Sequence, residues 1–288
     1  MNILLFGGSG FIGAATARLL QQQGHRVAAP GSREFDFLQP DFARITGYLK
    51  NCNVVINAVG VMSRHRAVLE TVHHHTPARL ARLAAEHGVR RWVQLSALGA
   101  DACHPVAFLG SKGRGDQAVA GSGLSTAVAQ PSVVFGRGGA SCELFIRLAR
   151  LPLICLPEGG HYALQPVHLD DVAEGLANLA TGTATGRIAF TGSQRCTLAG
   201  YLNLLRRNLH RKTPARILAL PRPLAEWGAA LAEASGNGML SRDSLRLLRE
   251  GSVADCTAFA ALIGRPPQAA GTFGCRSKAV GGRTAPKG

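Results

Sequence analysis

Three glycines near the start of the chain define the first chemistry it can do. Gly7, Gly10 and Gly13 stand in Gly7-Gly8-Ser9-Gly10-Phe11-Ile12-Gly13, between the apolar run 2–6 and a helical pattern over 14–23. A strand that feeds a glycine turn at the mouth of a helix gathers backbone N–H groups and the positive helix end at one point, with no side chain in a phosphate's way. The spacing predicts a cradle for a dinucleotide pyrophosphate, with Gly7, Ser9, Gly10, Phe11, Ile12 and Gly13 around it. A tight strand–helix turn is the plainer alternative. The order strand, glycines, helix favours the ligand.

A second group bears on the ribose. The next strand, 25–29, ends at Ala29-Pro30 and runs into Gly31-Ser32-Arg33. No carboxylate stands at that point to accept from a free ribose 2′-hydroxyl. The Ser32 hydroxyl and the Arg33 guanidinium are instead available to a 2′-phosphate. This favours NADP(H) over NAD(H), with NAD(H) left open and a solvated Arg33 as the plainer reading.

The elements that must hold these groups alternate in type. Strands are expected at 2–6, 25–29, 33–37, 53–59, 91–96 and 125–130. Helices are expected at 14–23, 41–50, 67–87 and 110–120, with Pro77 kinking or dividing the third. The nearly continuous apolar run 53–59 suits a strand covered on both faces. The β–α rhythm predicts an α/β fold, a doubly wound parallel sheet with right-handed crossovers. Beyond 141 the rhythm changes. Helices are expected at 143–150, 170–180, 197–210, 223–234, 241–250 and 255–263, with one more strand at 187–191. Asp170, Ser241 and Asp255 are read as helix caps and Gly251 and Gly264 as stops. The division is therefore a dinucleotide-binding core (1–140), a part that completes the sheet and forms a small, mostly helical C-terminal lobe (141–268), and a basic tail (269–288) with few core formers, expected to be disordered.

Four motifs in order, Gly7–Gly13, Asn57-Ala58-Val59-Gly60, Leu95-Ser96-Ala97-Leu98-Gly99-Ala100-Asp101 and Val167-His168-Leu169-Asp170-Asp171-Val172, resemble those of the atypical, extended-like short-chain dehydrogenase/reductases. The branch is the one containing the nucleotide-binding accessory subunit of respiratory complex I and its bacterial relatives. The resemblance spans about residues 1–270 and implies a Rossmann sheet. It also implies that Asp36 contacts the adenine, that Ala58, Val59 and Gly60 lie along the adenosine, and that Pro131, Ser132 and Val133 lie near the nicotinamide amide. Reductases of the family use a serine, a tyrosine and a lysine four residues after the tyrosine. The tyrosine moves the proton, the lysine lowers its pKa and holds the nicotinamide ribose, and the serine polarises the carbonyl. Ser96 and Lys112 stand at the serine and lysine positions, and Lys112 is also a cofactor ligand. The tyrosine position holds Phe108, which has no exchangeable proton. Loss of a positioned acid costs ~10²–10⁴-fold in rate. Ser111, Ser96, His104 or a water are the candidate substitutes.

Two functions follow. One is an NADP(H)-dependent oxidoreductase acting on a small carbonyl or quinone-like substrate. The other is a non-catalytic NADP(H)-binding sensor or assembly protein. Nucleotide-sugar epimerisation or dehydration is a weaker third, since it also leans on the missing tyrosine.

The remaining features narrow the classes. The net charge of +15 favours anionic ligands or surfaces, and Arg276, Lys278, Arg283 and Lys287 in the last twenty residues account for only four of it. No nucleic-acid motif accompanies the charge, so no specific nucleic acid is expected. Contact with an anionic membrane surface has no further support in the sequence. Seven scattered cysteines without a Cys-x-x-Cys pair argue for reduced thiols and a cytoplasmic protein. Neither a membrane span nor a signal peptide is expected. His73-His74-His75 is read as helix-surface histidine, because consecutive helical residues point about 100° apart. No metal site is expected there or at His168 with Asp170 and Asp171.

Overall fold

The computed structural model describes residues 1–234 and 242–274. Its first half runs β1 (Asn2–Phe6), α1 (Phe11–Gln22), β2 (Arg26–Ala28), α2 (Phe42–Leu49), β3 (Val54–Asn57), α3 (Arg66–Glu70), a π-helical turn Thr71–His75, α4 (Thr76–Glu86), β4 (Arg91–Leu95), α5 (Ala107–Ala120) and β5 (Ser125–Pro131). The second half runs β6 (Val134–Phe135), α6 (Ala140–Leu148), β7 (Leu153–Pro157), β8 (Ala163–Leu164), β9 (Val167–His168), α7 (Leu169–Thr181), β10 (Gly186–Phe190), β11 (Cys196–Thr197), α8 (Leu198–His210), β12 (Arg216–Leu220), α9 (Arg222–Ala234), α10 (Arg242–Glu250) and α11 (Thr257–Ile263).

The expected parallel sheet is present, with strand order β10-β5-β4-β3-β1-β2. Chain order reverses between β1 and β3, which opens a crevice at their carboxyl ends, the usual ligand position in such sheets. Every residue of β3 and β4 is buried. One sheet face packs Ile3, Leu5, Val93 and Ala129 against Leu176, Ala177 and Ala180 of α7. The other packs Leu4, Phe6, Val55 and Trp92 against Leu80, Ala81 and Ala84 of α4.

Several expectations are corrected. Residues 33–37 form no strand. Phe35 instead packs tilted and Phe37 edge-on against Phe6, at centroid distances of 5.4 and 5.5 Å, after a turn closed by the Glu34 N–H and the Gly31 carbonyl. The helix over 67–87 is divided by the π-turn rather than kinked. Pro77 has no N–H for the His73 carbonyl four residues back, and the wider turn directly before it absorbs the missing bond. Asp170 does not cap α7; His168 does, accepting from the Asp170 N–H at 3.2 Å. Asp255 accepts from the Thr257 N–H at 3.1 Å at the start of α11. Gly251 and Gly264 stop their helices with φ of +78° and +70°. Ser241 lies outside the described residues.

The second half is less purely helical than expected. It also carries the two-stranded pairs β7–β12, β8–β11 and β6–β9. Its own core holds Ile154, Leu156, Tyr201, Leu202, Leu205 and Phe273. The start of the expected tail is packed rather than loose. The buried Asp171 carboxylate accepts from Arg265 and from the Gln268 N–H, both at 2.7 Å. That anchor delivers Ala270 and Phe273 into the core. Residues 275–288 are outside the described part.

Candidate functional site

The turn after β1 has the shape a pyrophosphate requires. Gly7 adopts φ +81°, and a Cβ there would lie 2.9 Å from the backbone of Ala58, so the turn closes directly onto the end of β3. A Cβ on Gly13 would meet the Gly7 carbonyl oxygen at 2.1 Å. Gly10 is the N-cap of α1 and supplies no side-chain acceptor, and no acid occupies the first turn. The first N–H groups of the helix therefore face the crevice with their dipole uncompensated. This cradle fits a dinucleotide. Ser9 is exposed at its rim. Phe11 lies under the loop after β6, where Cβ atoms on Gly136 and Gly139 would come within 2.9 and 2.8 Å of its ring. Ile12 turns instead into the core.

Beyond β2, Ser32 and Arg33 are exposed in a tight turn. A carboxylate does stand here, one the sequence reading passed over. Glu34 folds back to accept from the Gly31 N–H and the Tyr48 hydroxyl, each at 2.8 Å. Those two bonds hold its carboxyl below the usual range. Asp36 accepts from the Leu38 N–H within its own loop at 2.9 Å.

The opposite wall is a buried polar group. Ala58, Val59 and Gly60 follow β3, and a Cβ on Gly60 would lie 3.5 Å from Lys112 Nζ and 3.8 Å from His73 Nε2. The structure thus brings the Gly60 loop and Lys112 together. Lys112 Nζ donates to the Leu95 carbonyl at 3.2 Å. Burial pulls its pKa down to about 8, although Asp116 works the other way. Ser96, one residue past β4, donates to Asp116 Oδ2 at 2.6 Å. Among the described residues Asp116 Oδ1 has no hydrogen-bond partner, and burial raises this carboxyl to about 6 against the bonds from Ser96 and the charge of Lys112. Asp116 lies one helical turn after Lys112; that spacing was the signal for it in the sequence, and it was missed.

His73 was misplaced by the sequence reading. It is 2% exposed, because the π-turn rotates it inwards. The Val61 N–H donates to His73 Nε2 at 3.1 Å, so the proton sits on Nδ1. That nitrogen donates to Ser111 Oγ at 2.9 Å, and Ser111 donates to the Phe108 carbonyl at 3.0 Å. Burial, with the Lys112 charge adding to it, lowers the His73 pKa to about 2. The imidazole is neutral and fully bonded. The Phe108 ring stands edge-on to it at 5.5 Å and 5.6 Å from Lys112 Nζ.

The other polar candidates are also engaged. His104 bonds Glu250 at 3.0 Å and accepts from the Val106 N–H at 3.1 Å. At Pro131–Val133, the Pro131 carbonyl accepts from Leu98 N–H at 2.9 Å and the Val133 carbonyl from Val167 N–H at 3.0 Å. Ser132 gives its hydroxyl to the Gln165 carbonyl. This segment joins the sheet to the lobe. Outside the crevice, His74 and His75 stack at 4.5 Å, and their ligand atoms lie within 4.8 Å of Glu70. The Glu70 carboxylate already forms a two-pronged pair with Arg114, which a cation would have to displace.

Residues 3–103 match the NAD dependent epimerase/dehydratase family. The chain is 28% identical over 252 residues to the mitochondrial NADH dehydrogenase [ubiquinone] 1 alpha subcomplex subunit 9 of Arabidopsis thaliana, covering 78% of this chain and 62% of that protein. It spans about three fifths of the length of the curated relatives it matches. Among solved structures, a nucleoside-diphosphate-sugar epimerase from Staphylococcus aureus superposes with a TM-score of 0.74 at 14% identity, over 95% of this chain and 99% of that one. A dTDP-4-dehydrorhamnose reductase from Bacillus anthracis, solved in complex with NADP, superposes with a TM-score of 0.66 at 12% identity, over 76% and 84%. The resemblance to extended-like, atypical short-chain dehydrogenase/reductases therefore holds in sequence and in fold.

Proposed function

We propose, for a chain with the sequence pattern and fold of the NAD(P)-binding epimerases and reductases, that it binds a nicotinamide dinucleotide and retains it as a structural or sensing ligand rather than turning it over rapidly. The observation that carries this reading is Phe108. A phenyl ring stands where the family places its acid, Ser111 and His73 beside it are committed to other bonds, and so is His104 in the loop before α5. The cradle, by contrast, is intact. Lys112 makes one hydrogen bond among the described residues and has further N–H donors for ribose hydroxyls. The likeness to an accessory subunit of a respiratory assembly points the same way.

NADP(H) is the preferred ligand on this account. The Arg33 guanidinium is exposed in the turn after β2, where it would meet a ribose 2′-phosphate, and the Glu34 charge next to it is partly satisfied by two donors.

A second reading, an oxidoreductase on a small carbonyl or quinone-like substrate, is favoured by the Ser96–Asp116 bond. The dinucleotide would supply the hydride. Ser96 would present its proton to a substrate oxygen, and Asp116, on the far side of that 2.6 Å bond, would hold the proton that replaces it.

The test incubates the full chain with NADPH and a panel of aldehydes, ketones and quinones while following nicotinamide absorbance. Stoichiometric binding without consumption supports retention. Multiple turnovers would replace it with the second reading. An Arg33→Ala variant that loses more affinity for NADPH than for NADH supports the 2′-phosphate assignment, and equal loss for both overturns it.

A further inference from the structure

The outer surface of the second half carries an apolar patch inside a cationic rim, which neither the crevice nor its ligand uses. Residues 144–157 and 204–225 contain no Asp or Glu, and β7 and β12 lie within them. The two strands pair in parallel, Leu153 beside Arg216 and Cys155 beside Leu218. Side chains alternate along a strand, so Ile154 and Leu156 turn into the core while Leu153, Cys155, Arg216 and Leu218 share the exposed face. Leu220, further along that face, packs with Ala225 and Ala229 of α9. The helix therefore lies across the end of the sheet, and its Leu224 and Trp227 remain 58% and 74% exposed. Of the ten large apolar side chains exposed among the described residues, Leu151, Leu153, Leu218, Leu224 and Trp227 all belong to this surface. Such clustering marks an interaction site rather than ordinary surface.

The charge around the patch selects the partner. Arg150, Arg207, Arg211, Lys212 and Arg216 are exposed. Arg206, buried beneath them, binds the two segments together through the carbonyls of Ala149 and Leu151 at 3.0 and 2.8 Å. Glu226, one of the two acids on α9, is already paired with Arg222 and Arg249. Two copies of the chain meeting through this face would set one cationic rim against the other, since a twofold contact pairs a surface with itself. A tryptophan and leucines on one face within an arginine and lysine rim match the boundary between lipid headgroups and acyl chains.

We propose that this face seats the protein on an anionic phospholipid surface. Trp227, Leu224, Leu218 and Leu153 enter the headgroup layer, and the basic side chains meet the phosphates.

The chain has two tryptophans, and Trp92 is 0% exposed, so the solvent-exposed emission belongs to Trp227. The full chain is titrated with phosphatidylcholine vesicles, with or without phosphatidylglycerol, reading fluorescence and flotation. The expected result is a blue shift and co-flotation with the anionic vesicles alone, reversed by salt. Arg211→Glu with Lys212→Glu should weaken partitioning at least about tenfold. Leu224→Ala with Trp227→Ala should reduce flotation, and both variants should keep dinucleotide affinity. Absence of a shift with anionic vesicles, or equal binding to neutral ones, overturns the proposal. So does a sedimenting dimer whose Trp227 emission is already blue, which would make the face a contact between copies.

Discussion

Asp116→Asn isolates the buried carboxylate of the site. Burial raises the Asp116 pKa from 3.8 to about 6, so ionising it costs the folded state roughly 3 kcal/mol, at 1.36 kcal/mol per unit. The sign follows from linkage. A raised folded pKa gives a contribution that is fully present below 3.8 and is lost as pH rises through about 6. Between pH 5 and 7 the loss is about 1 kcal/mol. Lys112, held near 8, stays protonated over that window. Asparagine keeps an oxygen for the Ser96 hydroxyl and cannot ionise. Its amide meets the place where Oδ1 has no partner among the described residues, a cost that does not depend on pH. The assay is urea unfolding of both proteins at pH 5, 6 and 7. Relative to the wild type, the variant should gain about 1 kcal/mol from pH 5 to pH 7, or roughly 2–4 °C in Tm. A constant difference across the three pH values would refute the claim that this carboxylate is buried and pKa-shifted.

Other substitutions probe the remaining parts. His73, held at about 2 against an ordinary 6.5, contributes stability above pH 6.5 that is lost as pH falls. His73→Gln should remove about 2 kcal/mol of the decline between pH 7 and 5, and an unchanged pH profile in unfolding experiments would contradict the buried, neutral imidazole. Gly13→Ala puts a methyl 2.1 Å from the Gly7 carbonyl, and that backbone shift should cost about 1–3 kcal/mol in stability and most dinucleotide affinity. Wild-type melting and calorimetry in this variant would remove the close approach from the account. Phe108→Tyr places a hydroxyl four residues before Lys112 and should raise NADPH oxidation with small carbonyls by about 10²-fold or more. An unchanged rate across the panel would show that the missing acid does not limit the chemistry.

The parts of the site set by local backbone were readable in the sequence. The glycine turn, the ends of β3 and β5, and the positions of Ser96, Lys112 and Phe108 depend on strand–helix alternation, which apolar periodicity reports directly. Partners chosen by packing were less readable. His73 sits in a triplet that looks like helix surface until the π-turn ahead of Pro77 rotates it inwards. Glu34 was passed over beside Ser32 and Arg33 because its side chain, not its position, brings it back to Gly31. The β7–β12 pair was missed because its strands lie more than fifty residues apart in sequence, in runs that resemble ordinary loop. Phe273 was assigned to a tail on composition, yet the bond from the Gln268 backbone to buried Asp171 anchors its segment.

Calorimetric titration of the full chain with NADPH and with NADH tests the central claim most directly. The account predicts saturable binding at one site, tighter for NADPH, with the reduced nucleotide recovered unchanged at the end. Absence of heat with either nucleotide would contradict it, since a cradle closed this tightly around Gly7 and Gly13 would then serve some other end.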